Sequence, residues 1–316
     1  MLRMVRLTFG DPYVSPTRDE QGMFYAQAAA LRSLDLSRQV GAAIITRDGD
    51  LLTTGCNEVP KFGGGLYWGE DTFKARDFEL GHDSNVRIKA EILEDVFARL
   101  RHPSEHEDAA AEDSSDSEEV PPWLSESSLK LSDRALAQEA LFGKKPFMNA
   151  SLLFDVIEFG RAVHAEASAI TEAARRGVST SGSRLFCTTF PCHICARHIV
   201  AAGIDDVVFV EPYEKSRTAD LYSDSVSIEP TDATPNKANF RAFVGVAPRR
   251  YMESFQLTGD RKKKDGRVLD MDEIADKPKT KRIVLTYLSI EGIVIRDTEP
   301  SPATSESPDH KETKGE

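Results

Sequence analysis

His164 and Glu166, two positions apart, and Cys192 and Cys195, three apart, have the types and spacing for metal chemistry. An imidazole and two thiolates are donors that zinc prefers, and three protein ligands leave the fourth tetrahedral position open to water. An open position marks a catalytic ion. Zinc lowers the pKa of bound water to near neutrality, so a carboxylate beside it can take a proton and release a nucleophile at physiological pH. Glu166 is the carboxylate in position to do so. The chemistry implied is metal-assisted hydrolysis, with one Zn2+ per chain held by His164, Cys192 and Cys195.

The elements that must position these residues can be read around them. Val163, Ala167, Ile170, Ala173 and Ala174 recur at helical spacing over 161–176, Ser183 to Thr188 reads as a strand, and a second helical stretch runs from Cys192 to near Gly203. Pro191 suits a helix start, where its missing N–H costs nothing, and Cys192 and Cys195 then share one face of the first turn. Free N–H groups there favour thiolate over thiol. A lone C-x-x-C equally suits a structural zinc half-site or a redox pair; His164 and Glu166 set this one apart. A closed four-cysteine site would also need Cys56 and Cys187, and Cys187 reads as a small buried hydrophobe in an apolar strand. His193 is expected to face solvent or the ligands' surroundings, not the metal.

Upstream, Phe24, Ala28 and Leu31 trace one helical face behind Thr17-Arg-Asp-Glu20, a capping-box pattern. Val40 to Thr46 and Leu51 to Cys56 make strand-like runs around a turn at Gly49. Asp206 to Val210 is a further strand, and Asn239 to Val246 a fifth. The pattern predicts an α/β protein, a three-layer α/β/α sandwich with a central mixed sheet of about five strands.

The main domain is expected to span 1–256, interrupted at about 69–150 by a helical insertion built on Ile88 to Leu100 and Leu131 to Leu141. Within it, residues 103–121 hold eight acidic residues and no lysine or arginine, the composition of a disordered loop. A C-terminal extension over 257–297 and a disordered tail over 298–316 follow. At 316 residues there is room for a substantial core. The N-terminus lacks the apolar run of a signal peptide and no segment approaches a membrane span, so a cytoplasmic, membrane-free protein is expected. Four cysteines, two given to the metal, make no disulfide framework. A net charge of −12 disfavours extended nucleic-acid binding, which needs a basic surface. Arg249 and Arg250, after the apolar run from Phe243, are the local basic pair best placed to meet substrate phosphate.

H-x-E followed by P-C-x-x-C is the signature of zinc-dependent nucleobase deaminases. Ser37-Arg-Gln-Val-Gly-Ala-Ala-Ile44, Gly55-Cys-Asn57-Glu-Val-Pro60 and Thr188-Thr-Phe-Pro-Cys-His-Ile-Cys-Ala196 resemble motifs of the deoxycytidylate deaminases, and Phe190 stands where the adenosine and riboflavin-pathway relatives typically have glutamate. More narrowly, Arg32 to Gly41, Gly63 to Trp68, Glu158 to His164 and Gly245 to Tyr251 resemble bacterial anti-phage dCTP/dCMP deaminases, over roughly residues 4 to 256. Many of those carry an N-terminal P-loop domain; no G-x-x-x-x-G-K-[ST] segment occurs here.

The resemblance implies hydrolytic deamination of free deoxycytidine nucleotides, dCMP, dCTP or both, depleting that pool in phage defence. Glu166 would pass a proton to ring nitrogen 3 as oxygen attacks carbon 4, then protonate the departing ammonia. It also implies that the Ala165 amide holds the base carbonyl, that Asn57 hydrogen-bonds the deoxyribose 3′-hydroxyl, that Tyr213 contacts substrate, and that the chain forms a homo-oligomer, a dimer or hexamer. Gly63 to Gly65 could approach phosphate and Tyr67 or Trp68 wall the base, with a flexible turn and core packing as the alternatives. A regulatory nucleotide is left open. The alternative function is deamination of cytidine or adenosine in RNA or single-stranded DNA, which would need a basic or aromatic track beside the pocket.

Overall fold

The computed structural model describes residues 2–101, 130–148, 151–257 and 259–269. The acidic segment 103–121, the tail 298–316 and most of the 257–297 extension lie outside these residues. The chain separates into two compact units, one spanning Ser15–Gln256 and the other holding residues 2–14 with the described residues from Leu257 onward. The larger unit, the body, begins at Ser15. In the smaller unit, helix α1 (Leu2–Thr8) leads to Tyr13, whose hydroxyl donates to the carbonyls of Arg261 (2.7 Å) and Leu269 (3.0 Å).

In the body, helix α2 (Arg18–Ala30) starts as the capping box requires: the Thr17 hydroxyl accepts from the Glu20 amide, and the Glu20 carboxylate accepts from the Thr17 amide. Strands β1 (Gly41–Ile45) and β2 (Leu51–Cys56) form the expected hairpin. The insertion follows, with α3 (Asp77–Leu80), α4 (Ser84–Arg101) and α5 (Asp133–Phe142). Next come α6 (Ala165–Arg175), β3 (Arg184–Thr189), α7 (His193–Ala201), β4 (Asp206–Glu211), α8 (Thr218–Leu221), β5 (Val226–Ile228), β6 (Ala238–Ala242) and α9 (Tyr251–Phe255).

The sheet is mixed, in the order β2-β1-β3-β4-β6-β5, with β1 antiparallel to both neighbours and the other pairs parallel. It has six strands where the sequence pattern suggests about five. The extra one, β5, is a three-residue edge strand, too short for alternation to announce it. Side chains alternate between two cores, as the period of a strand dictates. Ala42, Ile44, Leu185, Cys187, Val207 and Phe209 pack with Ala165 and Ala169 of α6 and Ala196 and Ile199 of α7. Ala43, Ile45, Phe186 and Val208 face the other way, onto Met23 and Ala26 of α2. The result is the three-layer sandwich, with α6 and α7 on one face and α2 on the other.

The insertion has a core of its own, in which Leu93 and Phe97 of α4 meet Leu136, Ala140 and Leu141 of α5. It is also laced to the chain just before His164. Ser84 Oγ donates to the Phe159 carbonyl (3.1 Å), Asn85 Nδ2 donates to the Val156 carbonyl (3.0 Å), and Asn85 Oδ1 accepts from the Phe159 amide (3.3 Å). At the far end, Arg101 Nη1 reaches the Leu131 carbonyl (2.7 Å) and Asp133 Oδ1 (3.0 Å). Among the described residues no helix is long and apolar enough to cross a membrane.

Candidate active site

Two helix N-termini converge at one end of the sheet. His164 is the N-cap of α6, fixed by the preceding residue: Val163 pairs with Glu58 in an isolated antiparallel bridge. Cys192 is the N-cap of α7, one residue earlier than the first turn expected for it, and its sulfur accepts from the Cys195 amide at 3.5 Å. The approach to α7 is set by Phe190, whose amide extends the ladder to the Glu211 carbonyl (2.7 Å) and whose ring meets Phe209 edge-on at 4.9 Å. Both helix termini present partial positive charge to the thiolates and the carboxylate between them.

The ligand atoms of His164, Cys192 and Cys195 all lie within 4.8 Å of one another. His164 Nδ1 is 3.2 Å from Cys192 Sγ and 3.5 Å from Cys195 Sγ. A tetrahedron with Zn–N near 2.0 Å and Zn–S near 2.3 Å has N···S edges of about 3.5 Å, so the donor set and its spacing fit zinc. Neither Cys56 nor Cys187 joins this cluster. Hydrogen bonding to Cys192 holds His164 up at about 9, while the Cys195 and His164 donors draw Cys192 down; Cys195, bonded to that thiolate and buried, is pushed up. This polarised trio is what two adjacent thiols and an imidazole become before a cation separates them.

Glu166 is buried on the first turn of α6, and that burial pushes its carboxyl above the ordinary glutamate range against the opposing pull of His164. The Cys187 thiol, fully buried on β3, acts on the same carboxyl group, and the two shift each other: the thiol draws the carboxyl down and the carboxylate pushes the thiol up. A thiol that sequence reads as filler is thus electrostatically coupled to the carboxyl group expected to move protons. His193 turns away from the ligand atoms, with Nε2 3.6 Å from Glu158 Oε1.

His164, Ala165, Glu166 and Cys192 line one cavity together with Asn57, Phe190, Ile157, Asp35, Ser37, Arg38, Asp77, Asp83, Asn85, Arg161 and Tyr213. Asn57, Ala165 and Tyr213 are therefore brought together as the sequence suggests. Asn57, however, is committed to backbone: Oδ1 accepts from the Val40 amide (2.7 Å) and Nδ2 donates to the Arg38 carbonyl (2.8 Å). One amide hydrogen and one lone pair remain for a ligand. Its first structural role is to hold the loop that carries Arg38, whose guanidinium lies 5.2 Å from the centre of the Tyr213 ring.

Arg249 and Arg250 do not line this cavity. After β6 the chain crosses to the α2 layer, opposite the site helices, where the Val246 amide donates to Glu20 Oε1 (2.9 Å) and Tyr251 stacks on Phe24 at 4.3 Å. Arg250 there pairs with Glu253 at 2.7 Å. The cationic groups at the cavity are instead Arg38 and Arg161, and Arg161 pairs with Asp77 at 2.9 Å. Each had a signal in the sequence, Arg38 inside the Ser37–Ile44 motif and Arg161 three residues before His164; nothing in the sequence marked Asp77 or Asp83. Gly64, Gly65 and Trp68 line a separate cavity, where Arg32 stacks 3.5 Å from the Trp68 ring centre.

A buried carboxyl group beside a three-donor zinc site, on an α/β/α sandwich and lining a cavity, defines a zinc-dependent hydrolase site. The family model for the cytidine and deoxycytidylate deaminase zinc-binding region matches residues 16–211, more than half of the chain, and the chain belongs to that family. The deoxycytidylate deaminase of Enterobacteria phage T4 is 42% identical over 55 residues, 17% of this chain and 28% of that protein. ComE operon protein 2 of Bacillus subtilis (strain 168) is 39% identical over 54 residues, 17% of this chain and 29% of that protein. The aligned stretch thus spans less than a third of these relatives. The crystal structure of dCMP deaminase from the cyanophage S-TIM5 in complex with dCMP and dUMP is similar over 73% of this chain and 100% of that one, at 16% identity and a TM-score of 0.37.

Proposed function

We propose that this chain is a zinc-dependent hydrolase that converts free deoxycytidine nucleotides, dCMP, dCTP or both, to the deoxyuridine forms, with release of ammonia. One observation carries the reading: two of the zinc donors, His164 and Cys192, and buried Glu166 line a cavity that Arg38 and Arg161 also line. Zinc, when bound, supplies a water whose pKa is near neutral. Glu166 would accept a proton from the attacking water and deliver it to ring nitrogen 3 as carbon 4 gains oxygen, then take the proton of the new hydroxyl group to the amine, which leaves as ammonia while the carbon 4 carbonyl forms. The Ala165 amide, at the N-terminus of α6, faces the base carbonyl, and Asn57 offers its spare hydrogen to the sugar. Arg38, not Arg249 or Arg250, is the primary phosphate contact, since it lines the cavity, has no carboxylate within ion-pair distance among the described residues, and lies over the Tyr213 ring.

The motif resemblance supports a cytoplasmic role in phage defence through depletion of the deoxycytidine nucleotide pool, with self-association of the chain. The test is a panel of deoxycytidine, cytidine, dCMP, dCTP, CTP and single-stranded DNA with the zinc-loaded protein, read by ammonia release and by formation of the uracil product. Fastest turnover of a free deoxynucleotide is expected. Preferential turnover of single-stranded DNA would replace this reading with the polynucleotide one.

A further inference from the structure

Cys192 is preceded by a residue with a single backbone handle. The Phe190 amide is committed to the Glu211 carbonyl, and Pro191 has no N–H, so its carbonyl is the one hydrogen-bonding group that Pro191 offers. The turn between β4 and α8 takes it. Ser216 Oγ donates to the Pro191 carbonyl at 2.9 Å, and the buried Thr218 hydroxyl lies 2.8 Å from Ser216 Oγ and 3.5 Å from the same carbonyl. Since the Ser216 proton goes to Pro191, the Thr218 hydroxyl gives its own to Ser216, and the two form a chain whose members polarise each other. The Thr218 amide also reaches Ser216 Oγ, at 3.4 Å. The same turn touches the rest of the site. The Ser216 amide donates to the Tyr213 carbonyl (3.1 Å), Tyr213 lines the cavity, and Lys215 pairs at 2.8 Å with Asp155, on the segment that leads to His164.

We infer that Ser216, backed by Thr218, is a positioning residue for the zinc ligand Cys192 and acts through the Pro191 carbonyl. Proline fixes its own φ, and the peptide plane that joins Pro191 to Cys192 is rigid. Rotation about Pro191 ψ is what can still swing that plane, and a hydrogen bond to its oxygen removes this freedom. The Cα of Cys192 is thereby set, and with it the start of α7 and the sulfur that accepts from the Cys195 amide. Metal ligands are ordinarily oriented by a hydrogen bond to the ligating side chain. Here the hold is on the backbone one residue earlier, and it comes from a different element. The role rests on the three-donor zinc site and not on which nucleotide is turned over.

The experiment compares the full chain with Ser216→Ala, which removes the hydroxyl, and with Ser216→Thr, which retains it. Ser183→Ala is the control, because it deletes a hydroxyl-to-carbonyl bond of the same kind, to Thr180, at the opposite end of β3. Zinc affinity is read by competition with a chromogenic chelator, the visible absorption of the cobalt-loaded chain reports ligand geometry, and urea denaturation of the metal-free chain reports the fold. Ser216→Ala should weaken zinc by about five- to tenfold, the scale of one hydrogen bond, and shift the cobalt ligand-field bands. Ser216→Thr should keep both near wild type. Ser183→Ala should lower the urea midpoint and leave affinity and spectrum alone. Wild-type affinity and spectrum in folded Ser216→Ala, or equal changes in Ser183→Ala, would overturn the role. If Ser216→Ala does not fold, Thr218→Val decides: it keeps the shape and the Ser216 bond while removing the hydroxyl behind it, so a smaller weakening is expected and none overturns the role. A wild-type chain that binds neither zinc nor cobalt would sink the metal site together with this role. Metal binding that follows Ser216 in a chain that turns over no free deoxynucleotide would sink the assigned reaction alone.

Discussion

Gly55 on β2 and Ala165 on α6 are in backbone contact: a Cβ on Gly55 would stand 2.3 Å from the Ala165 carbonyl oxygen and 2.4 Å from the Ala169 amide nitrogen. The helix that begins at His164 can lie this close to the sheet only because position 55 has no side chain. Gly55→Ala should push α6 outward, costing about 1–3 kcal/mol as other overpacked sites do. Because His164 moves with the helix, zinc content per chain should fall too. Urea denaturation and metal analysis check both effects; a variant with the wild-type midpoint and full zinc would contradict the contact's role.

Glu166→Gln should keep zinc and the fold while turnover falls by about two to four orders of magnitude, since the amide cannot carry the proton. Cys192→Ala or Cys195→Ala should instead lose metal and activity together. Turnover near the wild-type rate in zinc-replete Glu166→Gln protein would remove the carboxyl group from the mechanism.

Zinc uptake by the metal-free chain should release protons. His164 is held up at about 9 and Cys195 is raised, so at neutral pH both carry protons that the ion must displace. The sign follows directly: apparent zinc affinity weakens as pH falls below the raised His164 value and strengthens as pH rises toward it. Titration calorimetry in buffers of different ionisation heat counts the protons, and a count of zero would contradict the polarised trio.

Asn57→Ala strips the Val40 amide and the Arg38 carbonyl of their partner, at a cost of about 1–3 kcal/mol for groups left buried and unpaired. The same change loosens the loop that carries Arg38, so KM for the nucleotide should rise more than KM for the nucleoside. Asn57→Asp, which retains the acceptor alone, should fall between alanine and wild type in thermal stability.

Replacing both Arg249 and Arg250 by alanine should change kcat/KM for nucleotide by less than about twofold, in line with ordinary surface substitutions. Arg38→Ala should cost the nucleotide far more than the nucleoside. A selective loss for dCMP or dCTP in the Arg249/Arg250 variant would restore these two as phosphate contacts.

What could be read before the fold was known is what chemistry imposes on short spacings. A ligand pair three residues apart, a histidine and glutamate two apart, a capping box and alternating strands are local constraints, and each stands where its pattern put it. The misreadings concern direction over distance. Arg249 and Arg250 follow a strand end, but no periodicity states which layer the chain enters next, and Glu20 and Phe24 draw it to the α2 side. Asp77 and Asp83 reach the cavity because Ser84 and Asn85 bond to backbone some seventy residues later, a pairing no local pattern encodes. Asn57 was legible as a candidate contact and lines the cavity, yet its hold on the Arg38 loop required coordinates.

The lacing of the insertion also bears on how firmly the approach to the zinc donors is held. Residues 84 and 85 are fastened to 156 and 159 by three hydrogen bonds, and Arg101 to Leu131 and Asp133 by two further contacts. A junction of several bonds, each contributing about 0.5–1.5 kcal/mol net, does not hang on any one of them. The segment that leads into His164 is therefore braced redundantly, and a single substitution along this seam is absorbed locally before it can displace the imidazole.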